Sequence, residues 1–269
     1  MQRALLVMFL FAACSVVQAS TSYTWTTSFL TDANQPASAT AVLTYDPSSP
    51  NQLTLTLTDT TINPISDAPN LADFSFTLPT FTSISDATAF GQTISSIVFN
   101  HNPAGTLGNY SGNSPWTATT ANNGWWGGYQ AYDIYAPQVN TGCTPGPQCN
   151  TAPHSIVGAP SANGEYVESG NPSIGSANLL NSTADRTMFY QSATFVLTFS
   201  SNLTTAQING LASSVVKFGF GPDGINTPDT DDISAGVYQG ATATPEPASL
   251  MLTAGGLGLA ALLRRRCWK

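Results

Sequence analysis

The chain has 269 residues, of which 8% are charged, with 15 acidic residues against 7 basic ones, 2 His and 4 Cys; soluble domains ordinarily carry about 25% charged residues. Five of the seven cations sit at the ends, Arg3 at one and Arg264, Arg265, Arg266 and Lys269 at the other, which leaves only Arg186 and Lys217 between them. Nucleic-acid binding is excluded, because it needs several Lys or Arg contacts per site, and disorder is excluded by 10% aromatics together with abundant β-branched residues.

The chain opens on a short positive start, Met1-Gln2-Arg3, followed by an apolar run from Ala4 to Val17. Val17 and Ala19 then place small residues at the third and first positions before a cut between Ala19 and Ser20. This is the pattern of a secretory signal peptide over residues 1–19. A second reading takes Phe11-Ala12-Ala13-Cys14, which resembles a lipoprotein box, with Cys14 as a lipidated N-terminus.

Beyond Ser20 the signal is two-residue alternation in β-forming residues. Strands are predicted over Tyr23–Phe29, Ala39–Tyr45, Leu53–Thr58, Asp73–Leu78 and Ile94–Asn100, and later over Ala193–Ser200, Val215–Phe220 and Ile233–Gln239. Leu53-Thr54-Leu55-Thr56-Leu57-Thr58 is the clearest, with three Leu for a buried face and three Thr for a wet one. Asp73-Phe74-Ser75-Phe76-Thr77-Leu78 repeats that pattern. No segment carries a sustained helical stripe, and Thr204–Leu211 reads as one short helical turn. The expectation is one all-β domain over 20–243, an antiparallel β-sandwich of jelly-roll type. The 34 Thr between Ser20 and Pro247 suit it, since hydroxyls hydrate a strand face without charge and β-branching keeps the backbone extended.

Between about 101 and 170 the alternation gives way to an insert rich in Gly, Asn, Pro and aromatics. Cys143 and Cys149 lie in it, separated by Thr-Pro-Gly-Pro-Gln, and an oxidising compartment favours closing them into a disulfide, with a free thiol pair as the alternative. Trp116 and Trp125-Trp126-Gly127-Gly128-Tyr129 offer flat rings that could stack on sugars, or a small core of the insert's own. Further on, Asp223, Asn226, Asp229, Asp231 and Asp232 crowd one connection. Their hard oxygens suit Ca²⁺, although the spacing is not that of an EF-hand and turn chemistry accounts for the same residues without a metal.

Catalytic signatures are missing. There is no Gly-x-Ser-x-Gly, no His-Glu-x-x-His and no phosphate-cradling glycine loop. His101 and His154 sit in loop sequence, and Glu165 with Glu168 reads as a solvated acidic face rather than a glycosidase pair. No cofactor is called for, calcium being the one candidate.

At the C-terminal end Pro245-Glu246-Pro247 precedes the largely apolar run Ala248–Leu263 and then Arg264-Arg265-Arg266-Cys267-Trp268-Lys269. As a helix this run reaches about 24 Å, a little short of a ~30 Å hydrocarbon core, and the arginines extend it by snorkelling. The arginine cluster stays cytoplasmic under the positive-inside tendency, which places residues 20–243 across the membrane.

The order of Pro-Glu-Pro, small-residue helix and basic tail over 244–269 resembles the PEP-CTERM sorting signal of bacterial surface proteins. That resemblance implies an exosortase, a membrane protease-transferase acting near Pro245-Glu246-Pro247, and a bacterium that makes exopolysaccharide. A permanent single-span anchor fits the same residues. The expectation is an exported surface or matrix protein, held in the inner membrane before processing, with a non-enzymatic structural or adhesive role among polysaccharides. The alternative is a carbohydrate-binding module using the aromatics of the insert. Between residues 20 and 243 there are 14 acidic residues and 2 basic ones, a net of −12.

Overall fold

The computed structural model describes residues 19–31, 34–62, 64, 69–77, 84–94, 108–113, 116–121, 131–135, 139–140, 150–151, 155–159, 188–221 and 233–244. Within them the chain is all-β and almost wholly antiparallel. In chain order the strands are β1 (Ser20–Leu30), β2 (Pro36–Tyr45), β3 (Gln52–Asp59), β4 (Leu71–Thr77), β5 (Ile84–Ile94), β6 (Gly108–Asn113), β7 (Thr117–Ala121) and β8 (Ala131–Tyr135). They continue as β9 (Val139–Asn140), β10 (Asn150–Thr151), β11 (Ile156–Val157), β12 (Met188–Phe199), β13 (Val216–Phe220), β14 (Ile233–Ala235) and β15 (Val237–Thr244). One short helix, α1 (Thr205–Gly210), runs into a 3-10 turn, Leu211–Ser213.

The first three strands form a meander whose turns are written in the sequence. Asp46-Pro47-Ser48-Ser49 joins β2 to β3: the Asp46 carboxylate accepts from the Ser48 N–H at 2.8 Å and the Asp46 carbonyl from the Ser49 N–H at 2.9 Å. Asp first and Pro second is the signature of such a turn. Between β1 and β2, Asn34 takes a left-handed backbone with φ 56, a conformation that Asn tolerates better than most residues. Helix α1 starts where a capping box allows: the Thr204 hydroxyl accepts from the Gln207 N–H, and the Gln207 side-chain oxygen accepts from the Thr204 N–H at 2.8 Å.

Hydrogen bonding connects thirteen strands. One arm runs β15-β1-β2-β3-β12, and β5 with β6 extends it beyond β12. The other arm is β14-β13-β4, with β8 and β7 on the far side of β4. β11 bridges them, pairing antiparallel with β4 at Ile156↔Leu71 and parallel with β12 at Ile156↔Phe189. A second link is covalent: β14 pairs with β13, the chain passes Gly236, and β15 pairs with β1. At Gly236 a Cβ would overlap the Val216 side chain and come within 2.8 Å of Phe218 and 3.4 Å of Trp25. Only glycine fits that corner.

Rings from the two arms meet in one core. Phe29 of β1 lies edge-on to Phe220 of β13 with centroids 5.2 Å apart, and Tyr132 of β8 meets Phe199 of β12 at 6.3 Å. Leu53, Leu55 and Leu57 are fully buried while the threonines between them are half-buried, so the alternation in β3 is as expected. Fully burying each leucine contributes about 1.5–3 kcal/mol.

Three expectations change. β4 has no wet face: Asp73 and Ser75 are as buried as Phe74 and Phe76, and Asp73 takes up space left by Gly219 opposite it on β13, where a Cβ would come within 2.8 Å of the Asp73 Cβ. The single strand expected over Ile233–Gln239 is two strands, broken by the change of partner at Gly236. The insert at 101–170 contains β6 to β11, of which β6, β7, β8 and β11 belong to the connected sheet and β9 with β10 forms a separate pair; these strands are two to six residues long, and β6, Gly-Asn-Tyr-Ser-Gly-Asn, has no apolar alternation to read. Apart from Ile94, the strand expected over Ile94–Asn100 lies outside the described residues.

Candidate functional site

Register builds a continuous uncharged face on the long arm. Thr24 lies opposite Val42, Val42 opposite Thr56, and Thr56 opposite Thr194. The next row is Ser22, Thr44, Thr54 and Val196, and the row on the other side is Thr26, Thr40, Thr58 and Ser192. All twelve positions are half-buried, while their neighbours Tyr23, Trp25, Ala41, Leu43, Leu55, Leu57, Ala193 and Phe195 fill the core. Adjacent strands lie about 4.8 Å apart and same-face residues about 7 Å apart.

Some of the hydroxyls hold each other. Ser22 Oγ and Thr44 Oγ1 are 2.8 Å apart, Thr56 Oγ1 and Thr194 Oγ1 3.2 Å, and Gln239 Nε2 donates to Thr26 Oγ1 at 2.9 Å. A hydroxyl supplies one donor and two acceptor positions, so each pair keeps capacity for water or a neutral hydrogen-bonding partner. With no charge on the face, contacts made there are insensitive to salt.

A buried polar joint lies where β3, β4 and β11 converge. Asp59 continues the inward parity of Leu53, Leu55 and Leu57, so its carboxylate is buried. The Thr61 N–H donates to Asp59 Oδ1 at 2.9 Å. Burial is the larger influence and pushes the Asp59 carboxyl up to about 7, against hydrogen bonds from Thr61, Leu71 and Gly158 that favour its charged form. Gly158 belongs to the same joint: a Cβ there would run into the Thr61 carbonyl, which accepts from the Ala159 N–H at 2.9 Å. Asn70, buried beside Leu71, makes no hydrogen bond through its side chain. Burial also pushes the Tyr132 hydroxyl up to about 12, so that phenol stays neutral.

The residues singled out from sequence fall unevenly. Ser20 is the first residue of β1 and pairs with Thr244, the last of β15. Trp116 is 2% exposed and its ring sits 4.9 Å from that of Phe195; it is a core residue with no face left for a sugar, which corrects the reading of it as a ligand-stacking aromatic. Trp125, Trp126, Tyr129, Cys143, Cys149, Asp223, Asn226, Asp229, Asp231 and Asp232 lie outside the described residues, as do Pro245, Glu246, Pro247, Arg264, Arg265 and Arg266. Among the described residues no three His, Cys, Asp or Glu side chains come together as a metal-binding group, and no helix is long and apolar enough to cross a membrane.

Sequence reasoning missed Asp59 as a buried carboxylate, although its parity with the three leucines was the available signal. The uncharged face is half legible in the sequence: alternation marks the Thr positions of each strand, but nothing marks that β1, β2, β3 and β12 lie side by side. No protein-family model matches the chain, and no curated protein matches it.

Proposed function

We propose that the chain is an exported surface or extracellular-matrix protein with a structural or adhesive, non-enzymatic role. Its domain is a β-sandwich of jelly-roll type, the long arm forming one layer and the β14-β13-β4-β8-β7 arm the other. The ring contacts Phe29–Phe220 and Tyr132–Phe199 between the arms support that arrangement. The signal peptide ends at Ala19, and an exosortase recognises Pro245-Glu246-Pro247 while the helix Ala248–Leu263 and Arg264, Arg265 and Arg266 hold the chain in the inner membrane.

One observation carries the reading: β1 begins at Ser20 and β15 ends at Thr244, opposite each other in one ladder. The described β-structure lies between the two proposed address segments, so removal of either takes none of the described strands with it. The uncharged hydroxyl face supports an adhesive role beside neutral polysaccharide, because it offers donors and acceptors without charge on an otherwise acidic chain.

Protease treatment of intact cells tests the location. Digestion of the domain on whole cells is expected, and protection until the envelope is opened contradicts the reading. The carbohydrate-binding alternative now rests on Trp125, Trp126 and Tyr129, since Trp116 is in the core. Binding to a polysaccharide panel that is lost in Trp125→Ala and Trp126→Ala supports it; no binding to any glycan removes it.

A further inference from the structure

The sequence order of the long arm ends on β15, which pairs with β1 along one edge and closes the strand order there. Among the described residues no strand pairs with its other edge: Ala241, Thr242 and Ala243 are all exposed, and a Cβ at Gly240 would have nothing within 4 Å. In an antiparallel ladder, alternate residues of an edge strand aim their N–H and C=O groups away from the partner. Natural edges are commonly guarded by Lys, Pro, inward charges or a bulge. β15, Val-Tyr-Gln-Gly-Ala-Thr-Ala-Thr, has neither Lys nor Pro nor any charge.

Its one guard is local. The register runs Thr24↔Gly240 and then Trp25↔Tyr238, so Gln239 is the extra residue of a bulge. Gln239 Nε2 turns back onto Thr26 Oγ1 and the Val237 carbonyl. That protects the first part of β15. Gly240–Thr244 remains regular, paired residue for residue with Ser20–Thr24 on its inner side.

We propose that Gly240–Thr244 is a self-association edge, pairing antiparallel with the same segment of a second copy about a two-fold axis near Thr242. Two features favour a second copy over an unrelated peptide. A foreign strand is selected through side-chain pockets beside the edge, and the small, exposed Ala241, Thr242 and Ala243 build none; backbone pairing between identical strands needs none. Charge points the same way. The 20–243 stretch carries a net of −12 and copies repel one another over most of their surface, yet β1, β2 and β15 contain no Asp, Glu, Lys or Arg. The β15 edge is where two acidic copies meet without opposing charges. Such pairing also runs the hydroxyl faces of the two copies together across the dimer. It does not depend on sorting or on a glycan ligand.

Sedimentation velocity of the full chain in detergent, over a range of concentrations, tests the proposal. The native chain is expected to show a concentration-dependent dimer, and Thr242→Lys to lower the dimer association constant about tenfold or more, since the two lysines face each other across the axis. Circular dichroism and the melting midpoint of Thr242→Lys are expected to match the native chain. A second measurement uses cysteine: under mild oxidation Thr242→Cys is expected to give a covalent dimer above the native background, because facing Cα atoms in a ladder lie about 4.5–5.5 Å apart, within disulfide reach. Thr54→Cys, on the face of β3 away from any edge, is expected to give none. A native chain that stays monomeric at every concentration overturns the proposal, as does a dimer that Thr242→Lys leaves intact or cross-linking no better from residue 242 than from residue 54.

Discussion

Ser20 and Thr244 face each other across the β1–β15 ladder, the first and last residues of the described β-structure. Because the ladder is antiparallel, both leave from the same end of the sheet. The two ends of the described β-structure therefore lie side by side.

Asp59 makes the domain acid-favouring. Its carboxyl is raised from 3.8 to about 7 in the folded chain, mainly by burial, so the folded state holds a proton that the unfolded state releases. The stability contribution is fully present below about pH 4, the unfolded value, and is lost as pH rises through about 7. At about 1.4 kcal/mol per unit the ceiling is about 4 kcal/mol. Chemical denaturation at a series of pH values is expected to show stability falling between pH 4 and 8, and Asp59→Asn to flatten that fall. An unchanged slope in Asp59→Asn rules out Asp59 as its source.

The corner at Gly236 admits no side chain. Gly236→Ala drives a methyl into Val216 and against Phe218, and overpacking of a filled core costs about 1–3 kcal/mol. A lowered melting midpoint is expected, with full β content retained if β14 and β15 shift only locally. An unchanged midpoint shows that the crossover is looser than its contacts indicate.

Neighbouring residues of β3 differ in role. Leu55→Ala opens a cavity in the core and is expected to lose about 2–5 kcal/mol. Thr56→Ala gives up one hydroxyl contact, with Thr194 at 3.2 Å, and is expected to lose no more than about 1.5 kcal/mol. Denaturation of both variants checks the assignment of faces; equal losses contradict it.

Trp116 separates folding from glycan contact. Its ring is buried on Phe195, so Trp116→Ala is expected to destabilise by about 3–5 kcal/mol. Its fluorescence is expected to be indifferent to added polysaccharide. Quenching of Trp116 by a sugar in the folded protein would show the ring to be reachable after all.

What the sequence made legible was local. Leu53, Leu55 and Leu57 against Thr54, Thr56 and Thr58 specify a strand and its faces without knowledge of its partners. Asp46-Pro47 specifies a turn, and Thr204 with Gln207 a helix start. What stayed hidden depends on partners. Asp73 and Ser75 look like a wet face, and only the register, which sets Gly219 opposite Asp73, shows where the Asp73 side chain fits. Gly236 looks like a strand residue until Trp25, Val216 and Phe218 crowd it. Trp116 looks like a displayed ring for the same reason, since apolar residues in loop-like sequence carry no mark of whether they turn inward. The hydroxyl face needed both kinds of information, alternation within each strand and the adjacency of four of them.

Intact-mass spectrometry of the protein recovered from the cell surface tests the central claim most directly. The mature chain is expected to begin at Ser20 and to end beside Pro245-Glu246-Pro247, with the helix and the arginine cluster gone. Surface protein that still carries Met1–Ala19, or that runs through to Lys269, contradicts export and sorting by these two segments.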